Sequence, residues 1–198
     1  MSIAGAPKVA GYSKVWNVPN LLTYGRIVAV PVVAGLIMYG GTNARWAALI
    51  IYVVAAITDF FDGYLARRWQ QQSSLGRMLD PIADKVLVAV VLLVLSADGI
   101  MNGGHIWAAI IILSREVLVS GLREYLGELQ VSVPVTKIAK WKTTVQLLAI
   151  GFLIAGPAGE QLVPHFTGFG LFLLWIAAAL TLYTGYDYFR AGLRHVVD

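Results

Sequence analysis

The sequence contains no cysteine, and only 13% of its 198 residues are charged. Without cysteine, the protein has no disulfide framework, no thiol nucleophile and no cysteine-ligated zinc. The low charge excludes an ordinary soluble domain, in which about a quarter of the residues are charged. Residues 1–20 also lack the apolar core of a cleavable signal peptide, so we expect the N-terminus to be retained.

Long apolar stretches fill most of the chain. Hydrophobic residues make up 58% of the sequence, and the mean hydropathy is +0.72. Apolar runs of about 20 residues have the length that a helix needs to cross the hydrocarbon core of a bilayer. The sequence therefore predicts an all-α integral membrane protein with six transmembrane helices. The predicted spans cover residues 21–40, 45–69, 79–99, 105–126, 138–156 and 168–190.

Residues 1–20 are expected to form a juxtamembrane segment, and residues 21–198 to form a single six-helix domain. In the first segment, Tyr12, Val15 and Trp16 lie near Lys8 and Lys14. This mixture is typical of a short amphipathic helix on the membrane surface. An untethered tail is the alternative.

Basic residues cluster on one set of predicted loops. They are Lys8, Lys14, Arg67, Arg68, Arg77, Arg123, Lys137, Lys140, Lys142, Arg190 and Arg194. On the opposite side, only Arg45 flanks a span. Because loops rich in Lys and Arg stay in the cytoplasm, we expect both termini there. The same distribution accounts for the net charge of +4 without a nucleic acid partner.

Four aspartates lie where the second and third predicted spans meet, in the pattern D-x2-D-G-x2-A-R-x8-G-x3-D-x3-D. The fixed positions are Asp59, Asp62, Gly63, Ala66, Arg67, Gly76, Asp80 and Asp84. On a helix the first four of these share one face, and the last two aspartates are one turn apart. Acids are costly beside apolar spans, so this spacing predicts a functional site.

Converging carboxylates repel one another, and divalent cations remove that repulsion. Ligands that are all oxygen suit Mg²⁺ or Mn²⁺ better than zinc or copper. Two such ions form a clamp for displacement at phosphorus, and Arg67 is suited to pair with a phosphate. A structural role and a transit site in a divalent-cation transporter are the alternatives. The position of the acids beside Arg67 and Arg68 at cytoplasmic helix ends favours a one-sided enzyme.

Several segments resemble a known family. DFFDGYLAR (residues 59–67) and GRMLDPIAD (76–84) match the signature of the CDP-alcohol phosphotransferases at every fixed position. NVPNLLTYGR (17–26), SREVLVSGLREY (114–125) and AKWKTTVQ (139–146) are similar to the phosphatidylglycerophosphate synthase branch of that family. The resemblance extends from about residue 17 to the C-terminus.

The resemblance implies transfer of a phosphatidyl group from CDP-diacylglycerol to sn-glycerol 3-phosphate, with release of CMP. It implies that Asp84 removes the proton from the acceptor hydroxyl. The implied ligands of two divalent cations (Mg or Mn) are Asp59, Asp62, Asp80 and Asp84. The implied CDP-diacylglycerol site consists of Asn20, Thr23, Gly63, Ala66, Arg67, Ser73 and Gly76. For Asn20 and Thr23, capping of the first helix is the alternative.

A phosphomonoester acceptor needs cations. The residues expected to bind its phosphate are Arg115, Arg123, Lys140 and Lys142. For Arg123 and Lys140, an ordinary role as cytoplasmic anchors of the spans is the alternative. Arg115 lies inside the fourth span, where a charge is costly unless it is paired. Pairing with Glu116 or with a motif carboxylate is therefore the alternative to acceptor binding. Lys85 is expected to neutralise local negative charge.

The resemblance also implies phospholipid biosynthesis in the cell inner membrane, by a homodimer whose active site faces the cytoplasm. Inositol phosphate, serine and phosphatidylglycerol are the alternative acceptors, and the segment 114–125 favours glycerol 3-phosphate. Ala177, Ala178, Ala179 and Gly185 are small residues of the sixth span that suit close helix packing. They are candidates for a dimer interface.

Overall fold

A computed structural model describes residues 18–69, 74–131 and 137–193, and every regular element in these ranges is a helix. The long helices are α1 (Val18–Tyr39), α2 (Thr42–Trp69), α3 (Ser74–Ala97), α4 (Ile106–Glu128), α5 (Lys137–Glu160) and α6 (Phe166–Leu193). A short 3-10 helix, Gly103–His105, precedes α4. The predicted interfacial helix before α1 lies outside the described residues.

The predicted all-α class is confirmed. Each predicted span coincides with one helix, and the ends differ by five residues or fewer. The largest difference is in α3, which begins at Ser74, so the polar start of the GRMLDPIAD segment is also helical. Four stretches within the described ranges are long and apolar enough to cross a membrane: Asn20–Tyr39, Gly103–Glu128, Trp141–Glu160 and Phe166–Leu193. That α2 and α3, which carry the acidic motif, also cross the membrane stays a prediction.

The helices share one apolar core. Helix α1 packs against α2 and α3, while α5 packs against α6 and α2, and α4 packs against α6. Each helix contributes at least one large, fully buried side chain: Ile37, Tyr52, Leu92, Ile112, Ile150 and Leu174. Other large apolar side chains, such as Leu93 and Phe172, point outward. That arrangement suits a bundle surrounded by lipid.

Helix α5 is broken near its end. Gly156 has φ 31° and ψ −108°, which is a non-helical conformation that glycine adopts more readily than other residues. Pro157, which lacks a backbone N–H, follows directly. Beside the break, the carbonyl oxygen of Ile154 accepts a hydrogen bond of 3.1 Å from Arg45 Nη1. The break lies where the sequence predicts the end of the fifth span.

Arg45 is the basic residue predicted on the side opposite the other cations, and it is buried in an ion pair. Its Nη2 donates to Asp98 Oδ2, which follows the end of α3. The pair cancels the charge of Arg45 within the bundle. The side opposite the acids therefore carries no unpaired cation at this position.

Three of the small residues of α6 are buried inside the chain. Ala177 and Ala178 belong to the core, and Gly185 lies against Arg115 of α4. They serve close packing of helices within one chain. A dimer interface built on these three residues is therefore excluded by their burial.

We expect Arg45→Met to destabilise the bundle, because Asp98 would keep its charge without a counter-ion. The pair is more buried than a surface pair and less than a core pair, which suggests a loss of about 2–3 kcal/mol. Thermal unfolding in detergent should show a midpoint about 5–10 °C lower. Arg190→Met, at an exposed position near the end of α6, is the control and should leave the midpoint unchanged. Equal midpoints for the two variants would contradict the structural role of the pair.

Candidate functional site

The first turns of α1 contact the acidic motif on two other helices. Thr23 Oγ1 donates a hydrogen bond of 2.5 Å to Asp80 Oδ1 of α3. Arg26 Nη1 lies 2.7 Å from Asp59 Oδ1 of α2 and 2.7 Å from Asp84 Oδ1 of α3. Thr23 and Arg26 are one turn apart and share a face of α1. Three helices thus meet at one polar site.

Chain connectivity explains why these residues meet. A two-residue connection joins α1 to α2, and the two helices pack together, so the second half of α2 returns along the first half of α1. Helix α3 starts at the same end and also packs against α1. Asp80 and Asp84, in the first half of α3, therefore come close to Asp59 in the second half of α2.

The residues of the site are buried on α1 and partly exposed at two of the acids. Asn20, Thr23 and Arg26 are buried on α1, and Gly76 is buried at the start of α3. The side chains of Asp59 and Asp84 are 42% and 46% exposed, whereas that of Arg26 is 1% exposed. Asp59 and Asp84 are therefore accessible to a ligand, while their contact with Arg26 of α1 is buried. Capping of α1 was the alternative role for Thr23, and the hydrogen bond seen from its hydroxyl goes to Asp80 of the acidic motif.

The acids fit a hard divalent cation by their chemistry. Asp59, Asp80 and Asp84 offer only oxygen ligands, which Mg²⁺ and Mn²⁺ prefer. A buried guanidinium shared by two of these carboxylates shows that their oxygens point at one position that attracts positive charge. Among the described side chains, no three acidic or histidine residues form a ready metal-ligand group.

Arg26 is a site residue that the sequence reasoning missed. Arg26 ends the family-like segment 17–26, in which the sequence predicts site roles only for Asn20 and Thr23. The available signal was a charged residue in an apolar helix one turn after Thr23, since such a charge requires a partner.

Several predicted site residues lie outside the described part of the site. Asp62, Gly63, Ala66 and Arg67 belong to α2 and Lys140 belongs to α5, but their side chains are outside the described residues. Ser73 is wholly outside them. The roles of these six residues therefore stay predictions.

A second polar group lies between α4, α5 and α6. Glu116 Oε1 is 3.5 Å from Arg115 Nη1, and it also accepts a hydrogen bond from Lys142 Nζ of α5. Arg115 Nη2 donates to Thr184 Oγ1 of α6 at 3.2 Å. The expected alternative for Arg115, pairing with Glu116, is thus found, and Lys142 shares the same partner.

Arg123 lies two turns after Arg115 on α4. Its guanidinium is 5.7 Å from the centre of the Tyr188 ring of α6, which is a cation–π distance. Tyr188 lies one turn after Thr184, which accepts the hydrogen bond from Arg115, so Arg123 and Arg115 lie along the same contact between α4 and α6. The structure therefore brings together three of the four residues that were expected to bind the acceptor phosphate.

A hydrogen bond connects the two polar groups. Lys85, the residue after Asp84, donates from Nζ to Ser120 Oγ on α4. Ser120 lies one turn after Glu116 on α4. The residue after Asp84 and a residue one turn from Glu116 thus meet where α3 contacts α4. Lys85 was expected to neutralise negative charge, and the partner seen here is a neutral hydroxyl.

Comparisons with known proteins point to one family. A family model described as CDP-alcohol phosphatidyltransferase matches residues 16–183. A protein of Cereibacter sphaeroides is 42% identical over 92% of this chain and 98% of its own length. A protein of Rickettsia bellii is 45% identical over 90% and 97%, and one of Escherichia coli is 37% identical over 92% and 98%. Each is named CDP-diacylglycerol–glycerol-3-phosphate 3-phosphatidyltransferase.

We expect Thr23→Val to lower stability, because Asp80 would lose a hydrogen-bond donor while the side-chain volume stays the same. The loss should be about 1.5 kcal/mol, typical of a hydrogen bond to a charged group. The thermal midpoint in detergent should then fall by about 4 °C.

Thr58→Val is the matched control, since that hydroxyl donates only to the carbonyl of Ala55 in its own helix, at 2.9 Å. A loss of stability that is the same for both variants would show that the contact between Thr23 and Asp80 does not hold α1 against α3.

Proposed function

This chain belongs to the CDP-alcohol phosphatidyltransferase family, and we propose that it transfers a phosphatidyl group from CDP-diacylglycerol to sn-glycerol 3-phosphate. The products are phosphatidylglycerophosphate and CMP, which places the enzyme in phospholipid biosynthesis. Relatives with this activity in their names align with about nine-tenths of the chain. The observation that carries the proposal is the neighbouring pair of charged sites, one of acids and one of cations.

The acidic site is proposed to bind two divalent cations, Mg²⁺ or Mn²⁺. Their ligands are Asp59, Asp62, Asp80 and Asp84. When bound, the ions supply charge that stabilises the diphosphate and the departing CMP. Thr23 and Arg26 support this assignment, because they hold the carboxylates of Asp80, Asp59 and Asp84 at one place.

Asp84 is proposed as the general base. Its carboxylate takes the proton from the 1-hydroxyl of glycerol 3-phosphate, and that oxygen attacks the β-phosphorus of CDP-diacylglycerol. A new phosphorus–oxygen bond forms as the bond to CMP breaks. The partial exposure of Asp84 and its contact with buried Arg26 support the role, since the carboxylate is both reachable and fixed.

The two substrates are assigned to different sides of the site. CDP-diacylglycerol is proposed to contact Asn20, Thr23, Gly63, Ala66, Arg67, Ser73 and Gly76. The phosphate of the acceptor is proposed to contact Arg115, Arg123, Lys140 and Lys142. The shared region of Arg115, Arg123 and Lys142 supports the second assignment, because a dianion requires several cations.

We place the protein in the cell inner membrane as one domain of six spans, with both termini and the active site on the cytoplasmic side, and as a homodimer. The neutralised Arg45 supports this orientation, because the sequence has its other loop-flanking basic residues on the opposite set of predicted loops. The apolar outer surface of the bundle supports contact with lipid.

The function can be tested with purified protein in detergent. CDP-diacylglycerol, Mg²⁺ and one acceptor at a time should give CMP with glycerol 3-phosphate, and none with inositol phosphate, serine or phosphatidylglycerol. A chelator should stop the release, and added Mg²⁺ or Mn²⁺ should restore it. CMP release with a different acceptor would identify another reaction of the family, and none with any acceptor would refute the enzymatic function.

Asp84→Asn should reduce kcat by at least about a thousandfold, because the amide cannot accept the proton. Insertion into membranes should be normal, and Asp59 should still pair with Arg26, so the loss of activity should far exceed any loss of folded protein. Glu128→Gln, which alters an exposed carboxylate at the end of α4, is the control and should keep full activity. Retained turnover in Asp84→Asn would remove this residue as the base.

A further inference from the structure

We propose that Glu116 is a positioning residue of the acceptor site, which holds Arg115 and Lys142 together as a preformed phosphate-binding pair, and that Gly185 gives Arg115 the space to reach this position. The inference rests on the proposed function, since it concerns how the acceptor phosphate is recognised. It adds two residues that do not touch the reacting atoms.

Burial makes the pairing necessary. The side chains of Lys142, Arg115 and Glu116 are 8%, 13% and 19% exposed, so all three lie largely inside the bundle. Two like charges in such a place repel each other and lose hydration, and the carboxylate of Glu116 offsets both effects. Within the described part of the chain, it is the acid that contacts both cations.

Glu116 also joins two helices that both pack against α6. It belongs to α4 together with Arg115, whereas Lys142 belongs to α5. The hydrogen bond from Lys142 to Glu116 therefore fixes the distance between cations on separate helices. A pair of cations fixed before the acceptor arrives needs no reorganisation when the dianion binds.

Arg115 keeps donors for such a ligand. Its contact with Glu116 is 3.5 Å long, and its one closer hydrogen bond in the described residues goes to Thr184. A guanidinium has five N–H groups, so these contacts leave several of them available. The cluster of Arg115, Lys142 and Glu116 carries a net positive charge and suits an anion.

Helix α6 also contacts Arg115, through Gly185 and Thr184. The side chain of Arg115 crosses Gly185 so closely that a Cβ there would lie 2.9 Å from its Cγ and 3.2 Å from its Nε. The Cγ is near the root of the side chain, so a methyl group at residue 185 would displace the whole guanidinium. Thr184, next to it, accepts the hydrogen bond that orients the same group.

Glu116→Gln tests the carboxylate. The KM for glycerol 3-phosphate should rise about tenfold, because the two cations lose the charge that holds them, while the KM for CDP-diacylglycerol changes less than about twofold. Glu116→Asp, which keeps the charge on a shorter side chain, should recover part of the loss. Glu128→Gln, which alters an exposed acid at the end of α4, is the control and should match the unmodified enzyme.

Gly185→Ala tests the same cations without changing any charge. It should raise the KM for glycerol 3-phosphate selectively, as Glu116→Gln does. Gly192→Ala is the matched control on the same helix, because the nearest atoms that a Cβ there would meet belong to the flexible side chains of Leu126 and Leu122, at 3.0 and 3.1 Å. That variant should keep both KM values.

The outcomes separate this inference from the proposed function. If the unmodified protein shows no transfer to glycerol 3-phosphate, the proposed function itself is refuted. If it is active but Glu116→Gln leaves the acceptor KM unchanged, or raises both KM values together, Glu116 has no positioning role. A lower acceptor KM in Glu116→Gln would also overturn the inference, because it would show that Glu116 competes with the phosphate.

Discussion

The contact on which the site depends is the one between Arg26 and two carboxylates. A single nitrogen of this side chain lies 2.7 Å from both Asp59 and Asp84. Because the three residues belong to α1, α2 and α3, the ion pairs hold three helices at a common point. A guanidinium buried in an apolar bundle cannot be left without counter-charge. The same ion pairs therefore fix both the arrangement of the acids and the packing of α1 against α2 and α3.

The same principle is used at two other places in the molecule. Arg45 is paired with Asp98 and the carbonyl of Ile154, which connects α2 to the end of α3 and to the break in α5. Glu116 is paired with Arg115 and Lys142, which connects α4 to α5. Inside lipid, apolar packing gives little preference for one neighbour over another. Buried charge pairs supply that preference, because an incorrect neighbour would leave a charge alone.

The sequence predicts what depends on local spacing. The lengths of the apolar runs predict the helices, and the spacing of Asp80 and Asp84 predicts their common face. It does not predict which helices are neighbours, so the contact of Arg26 with Asp84, 58 residues away, was missed. For Arg115, the sequence leaves two kinds of partner open, Glu116 or a carboxylate of the motif, and the structure shows the contact with Glu116. Family resemblance supplied roles for the motif positions, but it gave none to Glu116 or Gly185.

The acidic site and the cationic site have opposite charge, and Lys85 and Ser120 connect the helices that carry them. Residues of one site could therefore pair with residues of the other and cancel their charges. If Arg115 had paired with a carboxylate of the motif, each site would have lost one charge of the sign that it carries. Each site instead has its own internal counter-ion: Arg26 for the acids and Glu116 for the cations. At the contact between them, Lys85 binds the neutral hydroxyl of Ser120. The acids therefore keep a net negative charge and the cations a net positive charge, which is what the proposed binding of divalent cations and of an anionic acceptor requires.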